Sequence, residues 1–320
     1  INAFPPVTAP ELVIEGMIAA VQQDTLHRYT GDLTGEWPVT IRGNAYTITT
    51  RNSKSGTPVR QATYYVGDHL AARGLSVEYH EWNINRPPNV IGQLTGQSRP
   101  ADIYMVTAHL DDMPDGLLAP GADDNASGSA AVLVAADILS QYRWDCTLRF
   151  ALWTGEEQGL LGSNAYAERA AAQSENILGV LNFDMIAWNT LDSASDIDLH
   201  ATAIRPATVE LANQFASVIS AYGLNLIPEV RTDGTGASDH ASFWDSGYTA
   251  ILGIEDFYPN YHDFSPYYHK TSDRLATLDM AYFTEYVRAS VAAAAHMSNC
   301  LDKTPSPPAA SIGLGSEGVE

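Results

Sequence analysis

Basic residues are scarce in this chain. It has 17 Lys and Arg against 38 Asp and Glu, for a formal net charge of -21 at pH 7 over 320 residues. A surface of that sign repels phosphate backbones and anionic headgroups, which argues against nucleic acid and membrane surfaces as partners. Long apolar runs are also missing. No stretch of the sequence approaches the roughly 18 apolar residues of a membrane-spanning helix. Cysteine is nearly absent: Cys146 and Cys300 are the only two, without the paired spacing of a thiolate metal site. They leave open either one disulfide or two separate buried thiols.

What the chain does contain is enough to build a core. Hydrophobic residues make up 45% and charged residues 17%, a globular composition. A start at Ile1 rather than Met, few lysines and Pro-rich ends lead to the expectation of a mature secreted chain, extracellular or periplasmic. Hydrophobic periodicity predicts helices over 10–27, 61–73, 130–139, 163–172, 206–222 and 278–297. It predicts strands over 75–82, 89–94, 101–108, 148–153, 178–183, 197–201 and 249–254, and irregular chain with short strands over 28–60. Strands alternating with helices imply a three-layer α/β sandwich, a mostly parallel mixed sheet with helices on both faces. The expectation is one catalytic domain over 1–302, whose first 60 residues are a helix and an irregular extension, and a flexible tail over 303–320.

Chemistry gathers where strands end. The run 148–153 stops at Gly155 and gives way to two adjacent carboxylates, Glu156 and Glu157. Neighbouring carboxylates repel, so a pair at the end of a buried strand wants a cation or a proton. Two more strands end in His109 with Asp111 and in Asp184, and the carboxyl ends of strands are where open α/β sheets bind ligands. The Gly-flanked Asp123-Asp124-Asn125 loop and His269 can reach the same rim. Nitrogen mixed with carboxylate oxygen suits zinc, with manganese or cobalt as substitutes. Five ligands exceed the three that one catalytic zinc takes. They suit two ions roughly 3.5–4 Å apart sharing a carboxylate.

Each residue also has a plainer reading. His109 can be a satisfied core histidine, Asp124 or Asp184 a turn aspartate, and the Glu pair a solvated helix start. His262 and His240 compete with His269. His27, His69, His80, His200 and His296 are expected at the surface.

Five segments occur in order: His109-Leu110-Asp111, the run from Gly121 through Asp123-Asp124-Asn125 to Gly128, Glu156-Glu157 with Gly159-Leu160 and Gly162-Ser163, Asn182-Phe183-Asp184-Met185, and Ser238-Asp239-His240-Ala241. Together they resemble the co-catalytic, di-zinc aminopeptidases, a family that includes bacterial leucyl aminopeptidase and Streptomyces aminopeptidase. The resemblance covers roughly residues 55 to 300. It implies that Asp124 bridges two zinc ions, with His109 and Asp184 completing one site and Glu157 and His269 the other. It further implies Glu156 as general base and Tyr268 as hydrogen-bond donor to the oxyanion. Asp111 would orient His109, and Asp239 would orient His269. The implied substrates are peptides with a free N-terminus, acted on by a monomer. Ala237 departs from the pattern, since some relatives carry a substrate-contacting arginine there. The same scaffold also hosts glutaminyl cyclase-like acyltransferases, carboxypeptidases and non-catalytic receptor-type domains.

Overall fold

The computed structural model describes residues 3–113, 118–190, 195–257 and 264–302. The expected tail from 303, His262 and parts of the loops 113–120 and 257–268 lie outside them. In chain order come α1 (Leu12–Ala20), α2 (Gln23–Thr34), β1 (Val39–Ile41), β2 (Asn44–Tyr46), α3 (Thr57–Ala72), β3 (Ser76–His80), β4 (Asn89–Leu94) and β5 (Arg99–His109). Next are α4 (Gly128–Leu139), β6 (Cys146–Trp153), α5 (Leu161–Ala172), β7 (Asn176–Phe183) and β8 (Asp196–His200). The last five are α6 (Pro206–Tyr222), β9 (Ile227–Arg231), α7 (His240–Asp245), β10 (Ala250–Ile254) and α8 (Met280–Ser298).

Period-two burial builds the central sheet. In β6, Leu148, Phe150 and Leu152 enter the larger core, while Ala151 and Trp153 enter the smaller one on the opposite face. The larger core is covered by α1, α2, α3, α4, α6 and α8, and the smaller by α5 and α7. The eight strands run in the order β3-β4-β6-β5-β7-β10-β8-β9. Strands β6, β5, β7 and β10 are parallel neighbours, while β4 and β8 run against them. The chain leaves β5 toward β6 and later crosses back to β7 on its other side. That reversal opens a crevice at the carboxyl end of β5.

The structure amends the predicted elements near the N-terminus. One helix over 10–27 is two, because Val21 and Gln22 are extended and Val21 is fully buried. The second helix continues to Thr34 through a polar stretch that the sequence reading left irregular. It buries because Asp32 accepts hydrogen bonds from Trp37 Nε1 (2.5 Å) and the Tyr65 hydroxyl (2.6 Å). A side chain at Gly31 would meet the Trp37 ring at 2.3 Å. Strand β9 was not anticipated; it is an edge strand, where Pro228 is tolerated.

Cys146, at the head of β6, is disulfide-bonded to Cys300, just past α8 (Cα–Cα 5.7 Å). Of the histidines expected at the surface, His200 is fully buried between β10 and β9. His69 is largely enclosed and paired with Asp137. No helix among the described residues is long and apolar enough to cross a membrane.

Candidate active site

The strand ends bring the candidate residues to one rim. His109 is the last residue of β5 and lies opposite Trp153 of β6. Past Trp153, Gly155 takes a left-handed turn (φ 81°) that hands the chain to Glu156 and Glu157. Asp184 follows Phe183 at the end of β7. Asp124 sits in the turn that feeds α4, where the chain packs so closely that only glycine fits at 128. A Cβ there would lie 2.4 Å from Asn125 Oδ1 and 2.5 Å from the Phe183 carbonyl oxygen.

The Asp124 carboxylate lies between the two histidines. Its Oδ1 is 3.4 Å from His109 Nε2, and its Oδ2 is 3.4 Å from His269 Nε2. His109 Nε2 also meets Asp184 Oδ1 at 3.1 Å, and His269 Nε2 meets Glu157 Oε2 at 3.1 Å. Among the described residues, three groups have donor atoms within 4.8 Å of one another and could each hold a metal ion: His109 with Asp124 and Asp184, Asp124 with Glu157 and His269, and His109 with Glu156 and Glu157. Two facts fit a cation. Four carboxylates face two histidines, and Asp124 Oδ2 and Glu157 Oε1 are buried without a hydrogen-bond partner. Oxygens in that state are costly unless something positive meets them.

Electrostatics carry the same sign. Burial, then the charge of Asp124, pushes the Glu157 carboxyl up to about 9. Burial also raises Glu156 well above its ordinary value, with Asp239 adding to the rise and His109 opposing it. For His109, burial favours the neutral ring, but Asp184 and Glu156 outweigh it and its pKa is raised. Tyr268 lines the same cleft and is 41% exposed. Its ring stacks on His269, with centroids 3.7 Å apart, and burial among the acids raises its hydroxyl pKa.

Two of the expected supporting contacts take a different form. His109 Nδ1 lies 3.0 Å from the backbone carbonyl oxygen of Asp111, not from its side chain. The Asp111 carboxylate instead accepts from the Glu156 amide at 3.3 Å. No hydrogen bond joins Asp239 to His269 among the described residues. The charges acting on its buried carboxyl are those of His109, Asp184 and Asp111. Ser238 holds this segment beside β7 by donating to Asp184 Oδ2 (2.7 Å) and accepting from Asn182 Nδ2 (3.0 Å).

Other supporting residues carried no assigned role in the sequence reading. Asp273 accepts from the amides of Asp123 and Asp124 at 3.0 Å. Arg51 is fully buried and donates to the carbonyl oxygens of Leu110, Leu33, Pro120 and Gly121, at 2.7, 2.8, 2.5 and 2.7 Å. An arginine inside a polar, Gly-containing stretch was the available signal, since its neighbours suggested a solvated loop.

A mixed α/β sheet with histidines and carboxylates converging on its carboxyl rim is the architecture of a metallohydrolase. The chain belongs to peptidase family M28, whose model matches residues 89–294. It is 28% identical over 296 residues to a probable leucine aminopeptidase of Arthroderma otae, covering 89% of this chain and 75% of that one. The fold is similar to that of the LapA aminopeptidase of Legionella pneumophila, with a TM-score of 0.75 at 20% identity over 90% of this chain and 75% of that one. It is also similar to a Bacteroides thetaiotaomicron glutaminyl cyclase, with a TM-score of 0.64 at 18% identity over 85% and 96% of the two chains.

Proposed function

We propose that this chain is a zinc-dependent aminopeptidase with two metal positions that share Asp124. The observation that carries this reading is the Asp124 carboxylate lying between His109 and His269, with Asp184 and Glu157 on its flanks. His109 and Asp184 would hold one ion, and Glu157 and His269 the other. Zinc suits the mixed donor set, and manganese or cobalt would substitute. When bound, the ions supply Lewis acidity that acidifies water and polarises the scissile carbonyl. Glu156 takes a proton from the attacking water onto a carboxylate oxygen and passes it to the leaving amine nitrogen. The Tyr268 hydroxyl donates to the developing oxyanion.

Acids around the cleft attract the substrate's free α-amine, which favours an N-terminal cut. The neighbouring wall is apolar: Met185, Leu252 and Ile254 pack with Phe257 and Phe264. It would accept a leucine-like or aromatic N-terminal side chain. Ala237 also lines the cleft and leaves it without the arginine contact. The Cys146–Cys300 disulfide supports an oxidising compartment, and hence secretion. No observation favours a cyclase, a carboxypeptidase or a receptor-type domain, and all five donors and Glu156 are present.

Glu156→Gln tests the mechanism. Its kcat/KM on leucine p-nitroanilide should fall about 10²- to 10⁴-fold, the usual span for a general base, with zinc content per chain unchanged. A chelator should abolish the parent's activity, and an N-acetylated substrate should resist cleavage. Parental turnover by a zinc-loaded Gln variant would sink the assignment of the base.

A further inference from the structure

Phe257, in the apolar wall of the cleft, is held from outside the site. Asp198 belongs to β8 and lies opposite Ile254, the last residue of β10. Its side chain is nearly fully buried, where an apolar residue would be the cheaper choice. One carboxylate oxygen accepts from Arg231 Nε at 2.7 Å, and the other accepts from the backbone amide of Phe257 at 3.0 Å. His200, next but one on the same strand, lays its ring edge-on to Phe257 with centroids 6.1 Å apart. At the far end of the segment, the Ser265 amide donates to the buried carboxylate of Glu255 at 2.7 Å.

From Phe257 the contacts run inward. Its ring meets Phe264 at 5.3 Å, Phe264 meets Tyr268 at 5.0 Å, and Tyr268 stacks on His269 at 3.7 Å. Phe257 and Phe264 therefore form a wall whose position depends on where the Phe257 backbone is held. Asp198 is itself part of neither the donor cluster nor the cleft lining, and it reaches the lining through the Phe257 amide.

We propose that Asp198 is a positioning residue that sets the preference for the substrate's N-terminal side chain by holding Phe257 in the apolar wall of the cleft. This rests on the aminopeptidase reading above. A wall that loses its tether fits bulky side chains poorly, whereas a small side chain that barely reaches it loses little.

The test compares the parent, Asp198→Asn, Phe257→Ala and the double variant on leucine, phenylalanine and alanine p-nitroanilides. Asparagine keeps the shape but offers one oxygen where two donors each had their own. For Asp198→Asn, kcat/KM should fall about tenfold on the leucine and phenylalanine substrates, mainly through KM, a typical loss for an ill-fitting apolar pocket. On the alanine substrate it should change less than about twofold. Adding Asp198→Asn to Phe257→Ala should change selectivity no further, since coupled residues do not add. Hydrogen exchange at the Phe257 amide, which is bonded to Asp198, should be faster in the Asn variant than in the parent. Arg231→Gln, which removes the carboxylate's other partner from the edge of the sheet, should shift selectivity the same way. An equal loss on all three substrates, an unchanged ratio, or full additivity in the double variant would overturn the proposal. A parent that cleaves none of the three defeats the aminopeptidase reading as well, whereas a parent that cleaves them with an Asp198-independent ratio defeats this proposal alone.

Discussion

Replacing Arg51 by lysine is the substitution most informative about how the site is built. The guanidinium spreads its donors over four backbone carbonyl oxygens, those of Leu33, Leu110, Pro120 and Gly121. A lysine ammonium has three protons on one nitrogen and cannot span that fork. At least two carbonyls would be left dry. At about 1–3 kcal/mol for each unsatisfied buried group, the cost centres on about 4 kcal/mol. At roughly 2 °C per kcal/mol for a chain of this length, the melting temperature should fall by about 8 °C. Leu110 follows His109, and Gly121 begins the turn that carries Asp124, so the loss should also reach the donor cluster. Zinc affinity should weaken about 10- to 100-fold, as for other residues that hold ligands in place. Calorimetry at fixed zinc concentration and a competition titration with a zinc indicator read the two effects. A melting temperature within about 2 °C of the parent, together with unchanged zinc affinity, would refute the reasoning.

Two further expectations concern stability away from the cleft. Asp137 is partly buried, which by itself raises its pKa. Hydrogen bonds from His69 and Arg73 outweigh that, and with the Tyr29 hydroxyl they lower it to about 2. A carboxyl whose folded pKa lies below its unfolded value of about 3.9 adds stability that is complete above that pH and lost as pH falls toward 2. Asp137→Asn should therefore cost about 1–2 kcal/mol by urea unfolding at pH 6, allowing for solvent screening, and the gap should narrow below pH 4. A gap independent of pH would contradict this. The disulfide closes a separation of 154 residues, for which chain entropy sets an upper estimate of about 5 kcal/mol. Replacing Cys146 and Cys300 together by serine should lower the urea midpoint toward that of the reduced parent; an unchanged midpoint would show that the cross-link stabilises nothing.

The central sheet and the gathering of His109, Glu156, Glu157 and Asp184 at one rim were legible because both rest on local patterns, whereas the choice of His269 rested on the family resemblance. Apolar runs at 101–108, 148–153 and 178–183 end in His109, Glu156 and Asp184, and parallel pairing brings those ends to one rim. Before Thr57 the chain was legible only in part: helix over 10–27 and short strands after 28 were expected, whereas the break at Val21 and the run of α2 to Thr34 were not. Asp32, Thr30 and Thr34 are buried in α2, and their polarity suggested loop because the side chains that meet Asp32, Trp37 and Tyr65, lie elsewhere in the sequence. Arg51 was missed for the same reason, since its partners are carbonyls brought there by the fold. Asp111 shows a finer limit. Its proximity to His109 was readable, but which of its oxygens faces the ring depends on how the chain turns after β5. For Asp239 the expected partner was His269, and no hydrogen bond joins the two among the described residues; the histidine whose charge acts on it is His109.

The tethering of Phe257 and Ser265 has a consequence for redesign. Both attachment points are amides bonded to buried carboxylates, Asp198 on β8 and Glu255 just past β10, and neither carboxylate is one of the five proposed donors. Phe257 is thus anchored through its amide, so its ring can be exchanged while its backbone stays held. A library randomised at Phe257 and Phe264 would sample new wall shapes while the acids and histidines of the rim stay put. Selectivity can then change, in evolution or in the laboratory, without renegotiating the chemistry.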